Sequence, residues 1–163
     1  MTKIIDLRFL SQDIIESKLD KDGNSKSYII ERIYNKEHEI KLKEGKKIAY
    51  TIDGNMKILN LQNIEVIDGI DNNIDSYELS DYTAIFFLKI KIIDKNILIG
   101  KNKNEELFID GKKITKENVE EYPYFDELLD FFIKNQNFYD LKNLYNLQIY
   151  NEILSEEKMM EIY

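Results

Sequence analysis

The chain has 163 residues, with 23 Lys and Arg against 31 Asp and Glu and a formal net charge of −8 at pH 7. This charge repels phosphate backbones, and no run of Lys or Arg reverses it locally, so nucleic acid is not an expected partner. The chain has no cysteine, which excludes disulfides, thiolate metal sites and Cys-based catalysis. The length predicts a single domain, residues 1–163, with a sizeable core.

The N-terminal segment, residues 1–9, carries charges where a secretory signal needs an unbroken apolar run. The longest apolar-rich stretch, residues 84–93, is interrupted by Lys89 and Lys91 and is too short to cross a bilayer as a helix. We therefore expect a protein made in the cytoplasm, with no signal peptide and no membrane partner.

Polar clusters divide the chain into segments of strand length. Gly and Asn accept positive φ, and Asp can hydrogen-bond its own backbone, so the chain can reverse at each cluster. The clusters that contain glycine are residues 22–24, 44–46, 53–55, 68–69 and 110–112. The strands predicted between them, rich in Ile, Tyr, Phe and Val, are residues 28–34, 47–52, 64–67, 85–92 and 106–109. Short strands without intervening helices indicate an antiparallel β-sandwich.

Two regions have residue types that also favour helix, residues 9–19 and residues 116–134. One further helix, before Pro123, is left open. The chain ends with an alternating strand around Leu147 and Ile149, followed by Ser155 and a run of Glu and Met. Ser155 predicts the N-cap of a short C-terminal helix.

This ending resembles the closing strand of concanavalin A-like, laminin-G-type domains, which often read I-Y-N-x-x-L-S-x-E-E. Three more segments are similar to elements of that family, in its order: residues 67–75 to F-D-G-x-D-D-Y-I, 82–90 to F-T-I-S-F-W-x-K and 106–112 to L-Y-V-D-G-K. The resemblance implies a concanavalin A-like jelly roll and favours a strand for residues 128–133. The sheet is expected to be shortened, since only residues 97–100 stand where the family has several strands, and Phe87 replaces its tryptophan.

Enzymatic activity is not expected, and no catalytic residue is assigned. Glycoside hydrolases with this sandwich need two carboxylic acids flanking the scissile bond, and the Glu-x-Asp-x-Glu run of the laminarinase-like branch is absent from the chain. His38 is the only histidine and lies in a charged turn or strand edge, and there is no Gly-x-Ser-x-Gly. A glycosidase would require paired carboxylates that the pattern does not reveal.

Calcium is the one cofactor that the sequence raises, against the alternative of none. Hard oxygen ligands lie in or beside turns at Asp68, Asp71, Asp75 and Asp110, and the resemblance implies a calcium ion at a loop rim. Asp71 and Asp75 are the metal-binding candidates. Asp in an Asp-Gly turn is also explained by backbone geometry alone.

The 11 tyrosines are the candidates for ligand binding. A Tyr ring stacks on a sugar face while its hydroxyl hydrogen-bonds. The glycan-binding candidates are Tyr77, Tyr82, Tyr122, Tyr124 and Tyr139. A half-buried sheet position or a contact with a partner protein is the alternative for each.

These features lead us to expect a non-catalytic binding or structural module that contacts protein or glycan. Cell-surface members of the family are usually exported, whereas virion proteins are made in the cytoplasm, so a phage head-decoration, fibre or tail protein is the first expectation. Its partners would be other virion subunits or further copies of itself. The alternative is an acidic cytoplasmic inhibitor or immunity protein that binds a basic toxin.

A calcium ion held by Asp71 and Asp75 would stabilise the chain, because a ligand that binds only the folded state raises its stability. Millimolar calcium would then raise the melting temperature, and a chelator would lower it, in a thermal-shift assay. Magnesium, which demands a tighter octahedral geometry, is the control. A melting temperature that changes with neither calcium nor chelator contradicts the site.

Overall fold

The computed structural model describes residues 2–10, 15–91, 93–129, 138–141 and 143–162, which form a mostly β structure with antiparallel sheets and two α-helices. The strands are β1 (Lys3–Arg8), β2 (Ile15–Leu19), β3 (Ser25–Ile30), β4 (Glu37–Leu42), β5 (Tyr50–Asp53), β6 (Met56–Leu59), β7 (Ile64–Ile67), β8 (Thr83–Ile90), β9 (Lys95–Asn102), β10 (Leu107–Ile109), β11 (Lys112–Lys113) and β12 (Leu144–Tyr150). The helices are α1 (Phe125–Leu129) and α2 (Glu156–Ile162). Neither helix has the length and apolar character needed to cross a membrane.

The strands form two larger sheets and a ribbon. The first sheet has the order β1-β12-β8-β9-β10-β11, the second has the order β2-β3-β4-β7, and β5 pairs with β6. Strand β12 lies between β1 and β8, with Leu147 opposite both Leu7 and Phe86. The C-terminal strand therefore holds the N-terminal strand against the middle of the chain.

The two larger sheets face each other across one hydrophobic core. Leu7, Leu147 and Ile149 of the first sheet and Ile29 and Ile67 of the second are fully buried in it. Side chains alternate between the faces of a regular strand, so Leu147 and Ile149 of β12, two residues apart, both enter the core. Burial of one such side chain contributes about 1.5–3 kcal/mol. The architecture is the antiparallel β-sandwich that the strand spacing predicted.

The opposite face of the first sheet is covered by α2. The buried residues of this smaller cluster are Ile85, Leu98, Phe108, Tyr150, Leu154 and Met159. Two glycines let the helix approach the sheet. A Cβ at Gly100 would lie 2.9 Å from the Met159 sulfur, and a Cβ at Gly111, where φ is +85°, would lie 3.0 Å from the Met160 backbone. A side chain at Gly111 would push α2 away, whereas one at Gly100 would displace the end of the Met159 side chain.

The link from β12 to α2 is fixed by the hydroxyl of Thr83, which is fully buried. This hydroxyl donates to the Glu152 carbonyl at 2.8 Å and accepts the Leu154 N–H at 2.9 Å. The Ser155 hydroxyl accepts the Lys158 N–H at 3.2 Å. These contacts confirm the predicted C-terminal helix and Ser155 as its N-cap.

Several predicted strands are found with shifted ends. Residues 64–67 form β7 as predicted, and residues 85–90 and 107–109 lie in β8 and β10. The strand predicted for residues 28–34 ends at Ile30, because the chain turns at once toward β4. The strand predicted for residues 47–52 begins only at Tyr50. Residue 92 lies outside the described residues.

The strand predicted for residues 128–133 is wrong at its described positions. Leu128 and Leu129 end helix α1 instead of beginning a strand, and residues 130–133 lie outside the described residues. Asp126 and Glu127 occupy the first turn of α1, where carboxylates favour a helix start, and Leu128 is buried against the core. The α-helix thus follows Pro123, and a 3-10 turn, Val119–Glu121, precedes it.

A helix was also considered for residues 9–19, and the described residues 15–19 of this segment are not helical. Residues 15–19 form β2, which pairs with β3 so that Ile15 lies opposite Ile29 and packs against the core. Pairing with a neighbouring strand overrides the local helical pattern here. Residues 11–14 lie outside the described residues.

One buried carboxylate joins the two sheets. Glu31 follows β3 of the second sheet and is 2% exposed. Its Oε1 accepts the Asp6 N–H of β1 at 3.2 Å and the Ile33 N–H at 2.8 Å, and its Oε2 accepts the Tyr34 N–H at 2.9 Å. A buried carboxylate is costly unless it is hydrogen-bonded, and three backbone donors meet that requirement.

Replacement Glu31→Gln keeps the size of the side chain but turns an NH₂ group toward a backbone N–H donor. We expect the free energy of unfolding in urea to fall by about 1–3 kcal/mol. The matched change Glu44→Gln, at an exposed position, should alter it by less than about 0.5 kcal/mol. Equal stability of the two variants would show that the Glu31 contacts do not hold the sheets together.

Candidate binding cleft

A cleft of about 390 Å³ lies beside β7. Its lining residues come from β7, the turn after it and two tyrosines: Glu65, Val66, Ile67, Gly69, Ile70, Asp71, Asn72, Tyr77 and Tyr139. The volume is at the small end of the range of about 300–1,000 Å³ typical of ligand pockets. Strand β7 is the edge strand of the second sheet and pairs, among the described strands, with β4 alone. The cleft therefore lies at the edge strand of the described second sheet.

A bulge in β7 turns two neighbouring side chains toward solvent. Val66 pairs with Lys41 and Ile64 with Leu42, so Glu65 is the extra residue. Bulges of this kind bend an edge strand and re-aim its side chains. As a result, Ile64 is buried while Glu65 and Val66 are exposed, and both exposed side chains line the cleft.

The hydroxyl of Tyr139 closes the turn at the base of the cleft. It donates to the Ile70 carbonyl at 2.6 Å and accepts the Ile67 N–H at 3.3 Å. Tyr139 is 1% exposed, and its neighbour Phe138 donates its N–H to the Asn72 carbonyl at 3.2 Å. The segment from Ile67 to Asn72 is thereby fixed against residues far along the chain.

Tyr77 also lines the cleft. Its hydroxyl donates to the Asp71 carbonyl at 3.0 Å and accepts the Asp71 N–H at 2.9 Å. Burial raises the pKa of both Tyr77 and Tyr139 above the usual value for tyrosine. Both hydroxyls are thus neutral at physiological pH and already bonded to backbone groups, so they shape the cleft instead of offering a base or a nucleophile.

The rim of the cleft is acidic. Glu65 and Asp71 are exposed, and one Asp71 oxygen, Oδ1, accepts the Asn73 N–H at 3.0 Å. Among the residues that the structure describes, the cleft lining includes no Lys or Arg. Lys41 lies opposite Val66 and is not one of these lining residues. The described rim thus carries two exposed carboxylates.

His38, which the sequence suggested to be an exposed polar residue, supports the cleft from behind. It lies half-buried in β4, and its Nδ1 is 2.8 Å from the Asp68 carbonyl oxygen, so Nδ1 carries the proton and donates. A Cβ at Gly69 would lie 3.0 Å from this nitrogen, and φ at Gly69 is +79°. Both facts require glycine in the turn that forms part of the lining.

The metal candidates are not brought together with other ligands. Asp71 lies at the cleft, whereas Asp75 is exposed outside its lining and donates its N–H to the Asn73 side chain at 3.1 Å. Asp110 accepts the Leu98 N–H at 3.0 Å as part of a hairpin turn. In the part of the chain that the structure describes, no three His, Asp or Glu side chains are grouped to hold a metal ion. Calcium binding stays a prediction.

The five candidate tyrosines do not form one row. Tyr77 and Tyr139 meet at the cleft. Tyr82 is 4% exposed, with the Lys103 ammonium 5.8 Å from its ring centre, and is better explained as a core residue. Tyr122 and Tyr124 are half-buried and stack edge to face, with ring centres 6.2 Å apart. Glycan binding by these tyrosines stays a prediction.

Sequence reasoning missed Glu65, Val66 and Asn72 as lining residues. The available signal was a predicted strand followed by an Asp-Gly turn, which was interpreted as a structural turn. Comparison of the chain with protein-family models, with curated proteins and with solved structures gave no match. The resemblance to concanavalin A-like domains, and the jelly-roll topology that it implies, therefore stay predictions.

Replacement Tyr139→Phe removes the hydroxyl that bonds Ile67 and Ile70 and leaves two backbone groups without that partner. We expect the free energy of unfolding to fall by about 1–3 kcal/mol in urea titrations at neutral pH. Tyr34→Phe, at a side chain that is 59% exposed, should cost less than about 0.5 kcal/mol. A Tyr139→Phe variant as stable as the wild type would contradict the role of this hydroxyl.

The same variant has a distinct pH dependence. Because the folded pKa of Tyr139 is raised, its stabilising contribution is complete below the ordinary tyrosine pKa of about 10 and is lost as pH rises above it. Stability of the wild type should therefore fall more steeply with alkaline pH than that of Tyr139→Phe. Parallel alkaline profiles would contradict this assignment.

Proposed function

We propose that the protein is a non-catalytic binding module that holds a partner protein at the cleft beside β7. The observation that carries the proposal is a pre-formed cleft at a sheet edge, with apolar residues at its base and carboxylates at its rim. Binding surfaces commonly combine an apolar centre with a polar rim. Edge strands are also frequent sites of contact between chains.

The polar groups of the cleft favour binding over chemistry. The hydroxyls of Tyr77 and Tyr139 are each committed to two backbone hydrogen bonds. Glu65 and Asp71 are exposed to solvent, in contrast to the carboxyl groups in apolar sites that serve as general acids. The function proposed here therefore requires recognition alone.

A protein partner suits this surface because of its exposed apolar residue. Val66 is 41% exposed beside the buried side chain of Ile67, and both line the cleft. Covering Val66 would remove apolar area from water, which favours association. The acidic rim would meanwhile select partners of opposite charge.

Two biological roles are proposed for this binding module. The acidic cleft favours an inhibitor or immunity protein that binds a basic toxin, which was the alternative reading of the sequence. The virion setting rests on the concanavalin A-like resemblance. Salt-sensitive binding to a basic partner would support the first setting, and assembly with other virion subunits would support the second.

A photo-crosslinking amino acid at Val66, introduced in the cell that makes the protein, tests the proposal. We expect a discrete crosslinked protein from this position. The matched control is Ile52, which is 70% exposed and lies on the β5–β6 ribbon. The same crosslinks from both positions, or none from Val66, would contradict a binding surface at the cleft.

A further inference from the structure

We propose that the cleft receives a basic, extended segment of the partner, with one Lys or Arg side chain seated between Glu65 and Asp71. This inference rests on the proposed function and names the chemistry of its partner. It follows from the charge, the shape and the rigidity of the cleft.

The rim of the cleft carries the charge that would attract a basic partner. In the described part of the chain, Glu65 and Asp71 line the cleft and no Lys or Arg does. A cation from a partner would thus meet two exposed carboxylates. The net charge of −8 adds a long-range field that increases the rate at which a basic partner arrives.

The cleft places apolar residues beside charged ones. Lys and Arg carry apolar stems that pack on apolar residues while their charged ends reach polar groups. Val66, Ile67 and Ile70 supply apolar surface in the cleft, and the two carboxylates lie on its exposed residues. The volume of about 390 Å³ suits a protruding side chain better than a large ligand.

The backbone that lines the cleft is held by hydrogen bonds before any partner binds. Tyr139 ties Ile67 to Ile70, and Tyr77 holds both backbone groups of Asp71. The position of the Asp71 carboxylate is further set by its bond to the Asn73 N–H. A cleft that is already ordered loses little conformational freedom when a ligand binds, which favours affinity.

The test uses a fluorescein-labelled synthetic peptide in which Arg alternates with Thr, and a second peptide with Glu in place of Arg. Fluorescence anisotropy measures their binding to the full chain at low and high salt. We expect the Arg peptide alone to bind, with affinity that falls as salt rises. Glu65→Gln and Asp71→Asn should each weaken it about two- to fivefold.

Two control variants separate a site from general acidity. Glu117→Gln removes an exposed carboxylate outside the cleft lining and should leave affinity unchanged. Lys41→Gln removes the cation opposite Val66 and should not weaken binding. Equal losses from Glu65→Gln and Glu117→Gln, or equal binding of both peptides, would overturn the proposal.

The outcomes also distinguish this inference from the proposed function. A discrete crosslink at Val66 to a partner that is not basic would overturn the basic segment and leave the binding module standing. A crosslink from Val66 to a second copy of the chain, with a dimer in sedimentation that Val66→Arg dissociates, would likewise replace the basic segment with self-association. Specific binding of the Arg peptide that Glu65→Gln weakens supports both.

Discussion

The carboxylate of Glu31 links the N-terminal strand to the turn after β3, and so joins the two sheets that share the core. Strand β1 is placed by its pairing with β12 at one side of the first sheet. Glu31 binds the Asp6 N–H of that strand and two N–H groups of the turn after β3. That turn leads directly into β4, and the Arg32 N–H of the same turn also donates to the Asp6 carbonyl at 3.3 Å, so two hydrogen bonds join β1 to the segment before β4.

The cleft lies at the edge of the second sheet formed by β7, and β7 is positioned by its pairing with β4. Strand β4 carries β7 through a bulged register, and His38 of β4 binds the turn after β7. Tyr139, which precedes strand β12 of the first sheet, then fixes the same turn through its hydroxyl. Contacts from β4 and from the segment before β12 therefore hold an acidic, partly apolar surface open to solvent.

The sequence predicted those parts that depend on local pattern. Strand β7, the hairpin turn at Asp110 and the Ser155 cap follow from alternation, Asp-Gly pairs and capping chemistry, all of which act over a few residues. It failed where distant contacts decide the structure. Residues 15–19 have a helical pattern but pair with β3, and the cleft depends on a bulge whose partner strand lies more than twenty residues away.

The central claim is that the cleft beside β7 is the binding surface and takes a basic segment. Titration of ¹⁵N-labelled protein with the Arg peptide, followed by the shifts of assigned backbone amide signals, tests it most directly because it locates the contact. The account predicts shifts concentrated at Glu65, Val66, Gly69, Asp71 and Asn72, and small shifts on β2 and the β5–β6 ribbon. Shifts spread evenly over the acidic surface, or concentrated elsewhere, would contradict it.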